Sequence, residues 1–275
     1  MFAQAEGDFR TADEFLHKAR GLFENHGDRD RAAATLPEFA FGAFSMGEVE
    51  QARCHIAQAR DEARQIEDDF LLAEVLCVES LVETAAGDYD RGQVTLEEAL
   101  AIFRRLGAPQ RVWLHQLINV GWVALHRHDF PRAREAFEEY LAVDSWKSPI
   151  GIANGHGNLG LVAIYEGDRD AADAECRQAL AYARAPRAGP TIAESLFGLA
   201  AVAAMDGDLG RAVRLWSAAE ALKAAMQATL SAPEQFIVDR HLEPAGAGLA
   251  EEVRERARRE GAAMNLDEAV AYALE

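Results

Sequence analysis

"NLGLVAIYEGDRDAADAECRQAL", residues 158–180, decides how this chain is to be read. A small residue, Gly160, stands seven places before a glycine–acid pair, Gly167-Asp168, and Ala172, Cys176 and Ala179 follow that glycine at five, nine and twelve places. Separations of three, four and seven between apolar positions belong to helix faces, whereas strands alternate with period two. The stretch therefore reads as two helices meeting at a corner. The glycine supplies the left-handed residue that ends the first helix. The aspartate caps free N–H groups of the second and opposes its dipole.

The same corner recurs along the chain. Gly7-Asp8, Gly47-Glu48, Gly87-Asp88, His128-Asp129, Gly167-Asp168 and Gly207-Asp208 are spaced by 40, 40, 41, 39 and 40 residues, and the second member is acidic every time. The flanks keep step. Ala40, Ser80, Gly121, Gly160 and Ala200 precede their corners by seven, and Ala12, Ala52, Gly92, Ala133, Ala172 and Ala212 follow by five. Nine places on stand Leu16, Ile56, Leu96, Phe137, Cys176 and Trp216, and twelve places on stand Ala19, Ala59, Ala99, Tyr140, Ala179 and Ala219. Small residues on both helices let the backbones approach, and the larger ones fill grooves between neighbouring hairpins. One hairpin cannot bury its own apolar face, so stability requires a stack. The reading predicts about six hairpins over residues 1–228. The first is cut short by its nearness to Met1, which points to an upstream portion or to an end covered by a partner.

Inside this register lies GHGNLG, residues 155–160, with the G-x-G-x-x-G spacing of dinucleotide-binding turns. Such a turn follows a buried strand and opens a helix. Here DSWKSPIGIAN, residues 144–154, reads as a loop entering a helix, and Gly160 already belongs to the repeat. No cofactor is expected. Gly155 and Gly157 cost a helix about 1 kcal/mol each relative to alanine; they mark a late helix start, a loosened first turn or room for a ligand.

The 275 residues are 49% hydrophobic and 27% charged, a composition of folded rather than disordered chains. A net charge of -18 argues against nucleic acid, whose phosphates demand clustered cations, and against an anionic membrane surface. Cys54, Cys77 and Cys176 are odd in number and far apart, as reduced thiols of a cytoplasmic protein are. The first residues lack a signal-peptide pattern. SLFGLAAVAAM, residues 195–205, is too short to span a bilayer. A cytoplasmic location is expected.

The order of small residue, Gly-Asp-aromatic, alanine, bulky apolar residue and alanine, clear again in GDFRTADEFLHKA (residues 7–19), resembles the tetratricopeptide repeat (TPR). Gly92, Tyr140, and Arg169 at an expected aromatic depart from it. The period exceeds the usual 34 residues, which implies longer helices or longer connections. The resemblance implies an all-α, right-handed α-α superhelix. After Ala219 the beat stops. Ser231-x-x-Glu234 with Pro233 forms a capping-box pattern, residues 246–264 form a charged amphipathic helix, and Asn265 caps a last helix with Leu266, Ala269, Val270 and Ala273 on one face. Residues 229–275 therefore read as a helical cap. From RLWSAAEALKAAMQATLSAPEQ to RREGAAMNLDEAVAYALE the chain resembles the C-terminal region of bacterial STAND-type ATP-binding transcriptional regulators, LuxR-type and AfsR-like members and the maltose regulator among them. That likeness implies a sensor or inhibitory module. The chain holds no GxxxxGK[ST] and no basic helix-turn-helix, so ATPase and DNA-binding roles are not carried over.

Candidate chemistry is sparse. His126 and His128 are two apart, on different helix faces, and fall on a corner, so no metal is expected. Cys176 holds a groove-filling position rather than a nucleophile's. Asp68-Asp69 and Glu97-Glu98 fall on loops and exposed faces, and RERARRE, residues 254–260, reads as a solvated face. No catalytic residue is expected. In TPR arrays the first helix of each pair lines the concave side. By position this gives Phe41, Phe44, Leu81, Thr84, His115, Ile118, Trp122, Leu125, Asn154, Leu161, Ile164, Tyr165, Glu194 and Phe197, with Trp122 and Tyr165 as anchors and His115 and Asn154 orienting a ligand. No Lys or Arg stands there to clamp a peptide's terminal carboxylate. The expectation is a non-catalytic interaction or sensor module, the regulatory domain of a bacterial signal-transduction regulator. It would bind a protein or peptide segment, another domain of the same regulator, or a small-molecule inducer. A free-standing adaptor scaffold is the alternative.

Overall fold

The computed structural model describes residues 9–114, 116–143, 148–183, 189–226 and 228–275, and among these every regular element is a helix. In chain order they are α1 (Phe9–Asn25), α2 (Arg29–Ala33), α3 (Leu36–Ser45), α4 (Val49–Gln65), α5 (Asp69–Ala85), α6 (Tyr89–Arg105), α7 (Gln110–Trp113), α8 (Gln116–His126), α9 (Phe130–Ala142), α10 (Pro149–Glu166), α11 (Arg169–Tyr182), α12 (Gly189–Met205), α13 (Leu209–Ala225), α14 (Ala232–Ile237), a π-helical turn (Val238–Leu242), α15 (Glu243–Ala247), α16 (Glu251–Ala262) and α17 (Leu266–Leu274). None of these helices is long and apolar enough to cross a membrane.

The periodic corners are left-handed. Gly47, Gly87, Gly167 and Gly207 take φ of 79, 84, 76 and 77°, and His128 takes 58°. Each corner closes with two hydrogen bonds: at Gly87 its own N–H donates to the Thr84 carbonyl and the Asp88 N–H to the Glu83 carbonyl, both at 3.0 Å. Asp88, Asp168 and Asp208 then accept the N–H groups of Arg91, Ala171 and Arg211 at 3.2, 3.1 and 3.0 Å. Glu48, one methylene longer, makes no such cap. The Gly7-Asp8 corner lies outside the described residues.

Midway between these corners the sequence holds others that the forty-residue beat does not reveal. Gly27, Glu67 and Gly107 are also left-handed, at φ of 72, 56 and 62°, and Asp28 and Asp68 cap Arg31 and Leu71 at 3.2 and 2.9 Å. From Gly27 to His128 the chain thus turns every twenty or twenty-one residues. Between Gly47 and Gly107 a 17-residue helix and a three-residue corner fill each interval. The excess over a 34-residue repeat is therefore helix, about one turn in each arm, and not loop.

Residues Met1–Asp129 and Phe130–Glu275 form two compact units. In the first, α3 packs on α4 and α5 on α6, and the first helices also meet one another, α3 with α5 and α5 with α8. In the second, α10 packs on α11 and α12 on α13, while α10 meets α12. The second helices of successive hairpins make no comparable contact, so the first helices form the inner layer of each unit. Small residues set the spacing: a Cβ added at Gly160 or Gly198 would lie 2.7 or 2.4 Å from the sulfur of buried Cys176. Gly155 sits well inside α10 and takes up Leu141, whose Cδ2 would be 2.6 Å from an added Cβ. It serves packing, neither a helix start nor a ligand.

The C-terminal residues close the second unit. The capping boxes at Ser231–Glu234 and Asn265–Glu268 both form. Arg211 donates to the carbonyls of Tyr272 and Ala273 at 3.0 Å, and Arg177 to that of Leu274 at 2.9 Å, meeting the open end of α17. At the α13–α16 crossing, a Cβ on Gly261 would stand 2.1 Å from the Arg214 carbonyl oxygen. Backbone would have to move, so Gly261→Ala should cost about 1–3 kcal/mol in urea unfolding. Gly210→Ala, whose nearest neighbours are side-chain ends at 3.8 Å, should be neutral or stabilising by up to about 1 kcal/mol. Equal effects of the two would refute the close-approach argument.

Candidate functional site

In the first unit the inner helices leave a groove of about 670 Å³. Phe41 and Phe44 from α3 and Leu81 from α5 line it together, as the repeat register expects, with Pro37, Val78, Phe103 and Val112 completing its apolar wall. Glu38, Glu74, Gln116 and Asn119 supply its polar groups, and Asn119 Nδ2 donates to Gln116 Oε1 at 2.7 Å. Among the described residues the lining contains no Lys, Arg or His. Burial, with Glu74 nearby, pushes the Cys77 thiol up to about 12, so it stays a neutral SH. Loss of hydration, reinforced by Glu38 and then Asp68, pushes the Glu74 carboxyl up to about 7. Two other depressions hold their charges in internal pairs, Arg60 with Glu79 at 2.6 Å in one and Arg169 with Asp206 at 2.6 Å in the other.

The remaining candidates of the first unit go elsewhere. Thr84 Oγ1 donates to the Ser80 carbonyl at 2.7 Å and fills the space that a Cβ on Gly92 would need, 2.5 Å away, so it belongs to the α5–α6 seam. Ile118 and Trp122 are half-buried on α8 outside the groove lining, and Leu125 is buried. The Trp122 ring lies 6.3 Å from that of His126, which itself stacks on Tyr89 at 4.8 Å. His115 lies outside the described residues.

In the second unit the corresponding face carries the chain's own C-terminal segment. Phe236 stacks on Tyr165 with ring centres 4.0 Å apart and planes within 11°. Phe197 is fully buried in a core shared with Ile164, Ile237 and Leu242, and Leu161 packs against it. Asn154 accepts a hydrogen bond from Thr191 Oγ1 at 2.6 Å. Glu194 keeps an exposed surface, yet surrounding protein thins its hydration and pushes its carboxyl up to about 7. Glu234 adds to that rise and Lys223 opposes it. Lys223 itself pairs with buried Glu234 at 2.5 Å.

Sequence reasoning missed Glu74, although the repeat contains the signal. Thirteen places before their corners stand Glu74, His115, Asn154 and Glu194, a polar column along the repeat. Gln116 and Asn119 stand on α8, which begins as a separate helix from α7.

Glu74 also bears on stability. Its carboxyl holds a proton to about pH 7 in the folded chain, against 4.5 unfolded. The associated stability is full below the unfolded value and is lost as pH rises through 7. Removing the charge should abolish that loss. Glu74→Gln should match wild type at pH 4.5 and exceed it at pH 8 by about 1–3 kcal/mol, given about 1.4 kcal/mol per unit reduced by water in the open groove. Urea unfolding at the two pH values is the check, and a variant that tracks wild type at both would refute the assignment.

No family model matches the chain, and no curated protein matches it. Among solved structures, that of BtubC (BKLC) from P. vanneervenii is similar, with a TM-score of 0.65 and 21% identity over 82% of this chain and 93% of that one. The likeness is one of fold, an all-helical, repeat-like architecture.

Proposed function

We propose that this chain is a non-catalytic interaction and sensor module of TPR type, the regulatory domain of a bacterial signal-transduction or transcriptional regulator. In this reading the groove on α3, α5 and α8 holds a segment of a protein partner or of another domain of the same regulator. The observation that supports it is the contrast between the two units. The inner face of the second is filled by residues 232–242, whereas the equivalent face of the first is an open, aromatic-lined groove. Rings that shed water on binding, such as Phe41 and Phe44, supply affinity, roughly 1.5–3 kcal/mol for each fully buried side chain. The Gln116 and Asn119 amides supply orientation. A second reading, a small-molecule inducer, is favoured by the groove's volume, which falls within the range of about 300–1,000 Å³ of ligand pockets.

The test places p-benzoylphenylalanine at position 44 of the native polypeptide in its own cells and irradiates. The interaction reading expects a covalent adduct, to another protein or within the polypeptide, reduced at least tenfold by Phe41→Ala with Leu81→Ala while far-UV circular dichroism is unchanged. No protein adduct, together with stabilisation of the purified chain by small-molecule cell extract, would favour the inducer. The absence of both the adduct and the stabilisation would overturn both readings.

A further inference from the structure

We infer that the occupant of this groove is a short amphipathic helix of a protein partner that presents one Lys or Arg to Glu74. The inference rests on the binding role proposed above and narrows it.

Charge is the first argument. Glu74 makes no ion pair or hydrogen bond among the described residues, and the charged groups that bear on it, Glu38 from α3 and Asp68 at the start of α5, are anionic. Gln116 and Asn119 from α8 are neutral, and Cys77 on its own helix is a neutral thiol. An entering ammonium or guanidinium relieves the repulsion and replaces the lost hydration. An acidic or purely apolar occupant leaves the carboxyl unmet, a cost that falls on binding.

The second argument comes from the repeat itself. Three periods, 120 residues, carry Glu74 onto Glu194 and Phe41 onto Leu161. In the second unit this face is covered by a short helical segment, Ala232–Leu242, with Phe236 as its aromatic anchor and Glu234 beside Glu194. A short helix is therefore a shape this face accepts. There the scaffold provides the cation: Lys223, on α13, pairs with Glu234 and counters the charge near Glu194. The same 120-residue step carries Lys223 onto Phe103, which lines the groove as a buried ring. Among the described residues of this groove an aromatic wall stands where the second unit has its cation, so in this inference the cation arrives with the ligand. Because Glu74 holds its proton to about pH 7, cation binding should release a proton near neutrality.

The probe is a displayed library of random twelve-residue peptides, sorted in parallel against the whole chain and its Glu74→Gln variant. A chain of net charge -18 attracts any cation, so sorting is done at about 0.3 M salt, where screening is short-ranged, and only Phe41-dependent binders are scored. Wild type should enrich helix-patterned peptides with Lys or Arg at one fixed position. Replacing that residue by norleucine should weaken binding at least tenfold, and Glu74→Gln should erase the difference. Calorimetry at pH 7 in buffers of unlike ionisation heat should record proton release for wild type alone. Phe41-dependent peptides without a fixed cation, or with the same cation preference in Glu74→Gln, would overturn the inference and leave the groove's binding role standing. If no Phe41-dependent peptide is enriched, the helical occupant is overturned, and the cross-link at position 44 decides the groove separately.

Discussion

The left-handed corner is the constraint on which the rest of this structure depends. At each one a single residue with positive φ and two backbone hydrogen bonds end a helix and aim the next, and an acid satisfies an N–H of the new first turn. Because side chains advance about 100° per residue along a helix, the number of residues between corners fixes which face meets the neighbour. Twenty residues between corners keep Ala52, Gly92, Ala172 and Ala212 buried at the same seam in successive hairpins. Between Gly27 and His128 the chain departs from this count once, with twenty-one residues between Gly107 and His128, and there the arm is broken after Trp113. Where a corner is not glycine, at Glu67 and His128, the left-handed conformation costs roughly 1–2 kcal/mol, which the packing on either side has to offset.

Close approach is the second element, and it explains the chain's choice of small residues better than helix propensity does. Glycine inside a helix costs about 1 kcal/mol, yet α10 and α12 carry Gly160 and Gly198 against the two sides of one sulfur atom. Cys176 is the wedge between them, fully buried, its thiol pushed up to about 12 by burial and then by Asp173 and Glu175. A larger residue on any of the three would push the inner layer apart. The sequence pattern of glycine, cysteine and alanine is thus a statement about distance between backbones; of the G-x-G-x-x-G glycines, Gly160 meets it at Cys176 and Gly155 makes room for Leu141, whereas Gly157 has only an ordinary contact with Ala179.

These two elements were legible in the residues because both are local: corners, caps and seam positions follow from a few neighbours along the chain. The half-period corners were harder, since one of them is Glu67 and no single residue type marks the set. Candidate site residues were legible only in part, because periodicity gives the face of a helix and not what covers it. Tyr165 and Phe197 stand on the inner face as their register requires, but Phe236 and Ile237, from a segment outside the repeat, lie against them. Thr84 has the register of a groove residue, yet its hydroxyl turns to the Ser80 carbonyl, drawn into the space that Gly92 leaves. Phe41, Phe44 and Leu81 line the groove of the first unit at the register positions that the repeat assigns to the inner face.

The repeats also serve as an internal comparison of electrostatic environments. Glu74 and Glu194 occupy one register position, on the same helix face, and burial pushes both carboxyls up to about 7. Their surroundings then diverge. Beside Glu194 the scaffold has placed a second carboxylate and its own lysine, joined through a capping box to the segment that covers the face. Beside Glu74 it has placed a phenyl ring, two amides and two further acids. A buried charge without a partner is costly, and the raised proton affinity of Glu74 lowers that cost where the described residues supply no cation. One face is thus completed by residues of the chain itself. The other leaves a carboxyl of raised proton affinity on an open groove, so the same register position is covered by the chain in one unit and uncovered in the other.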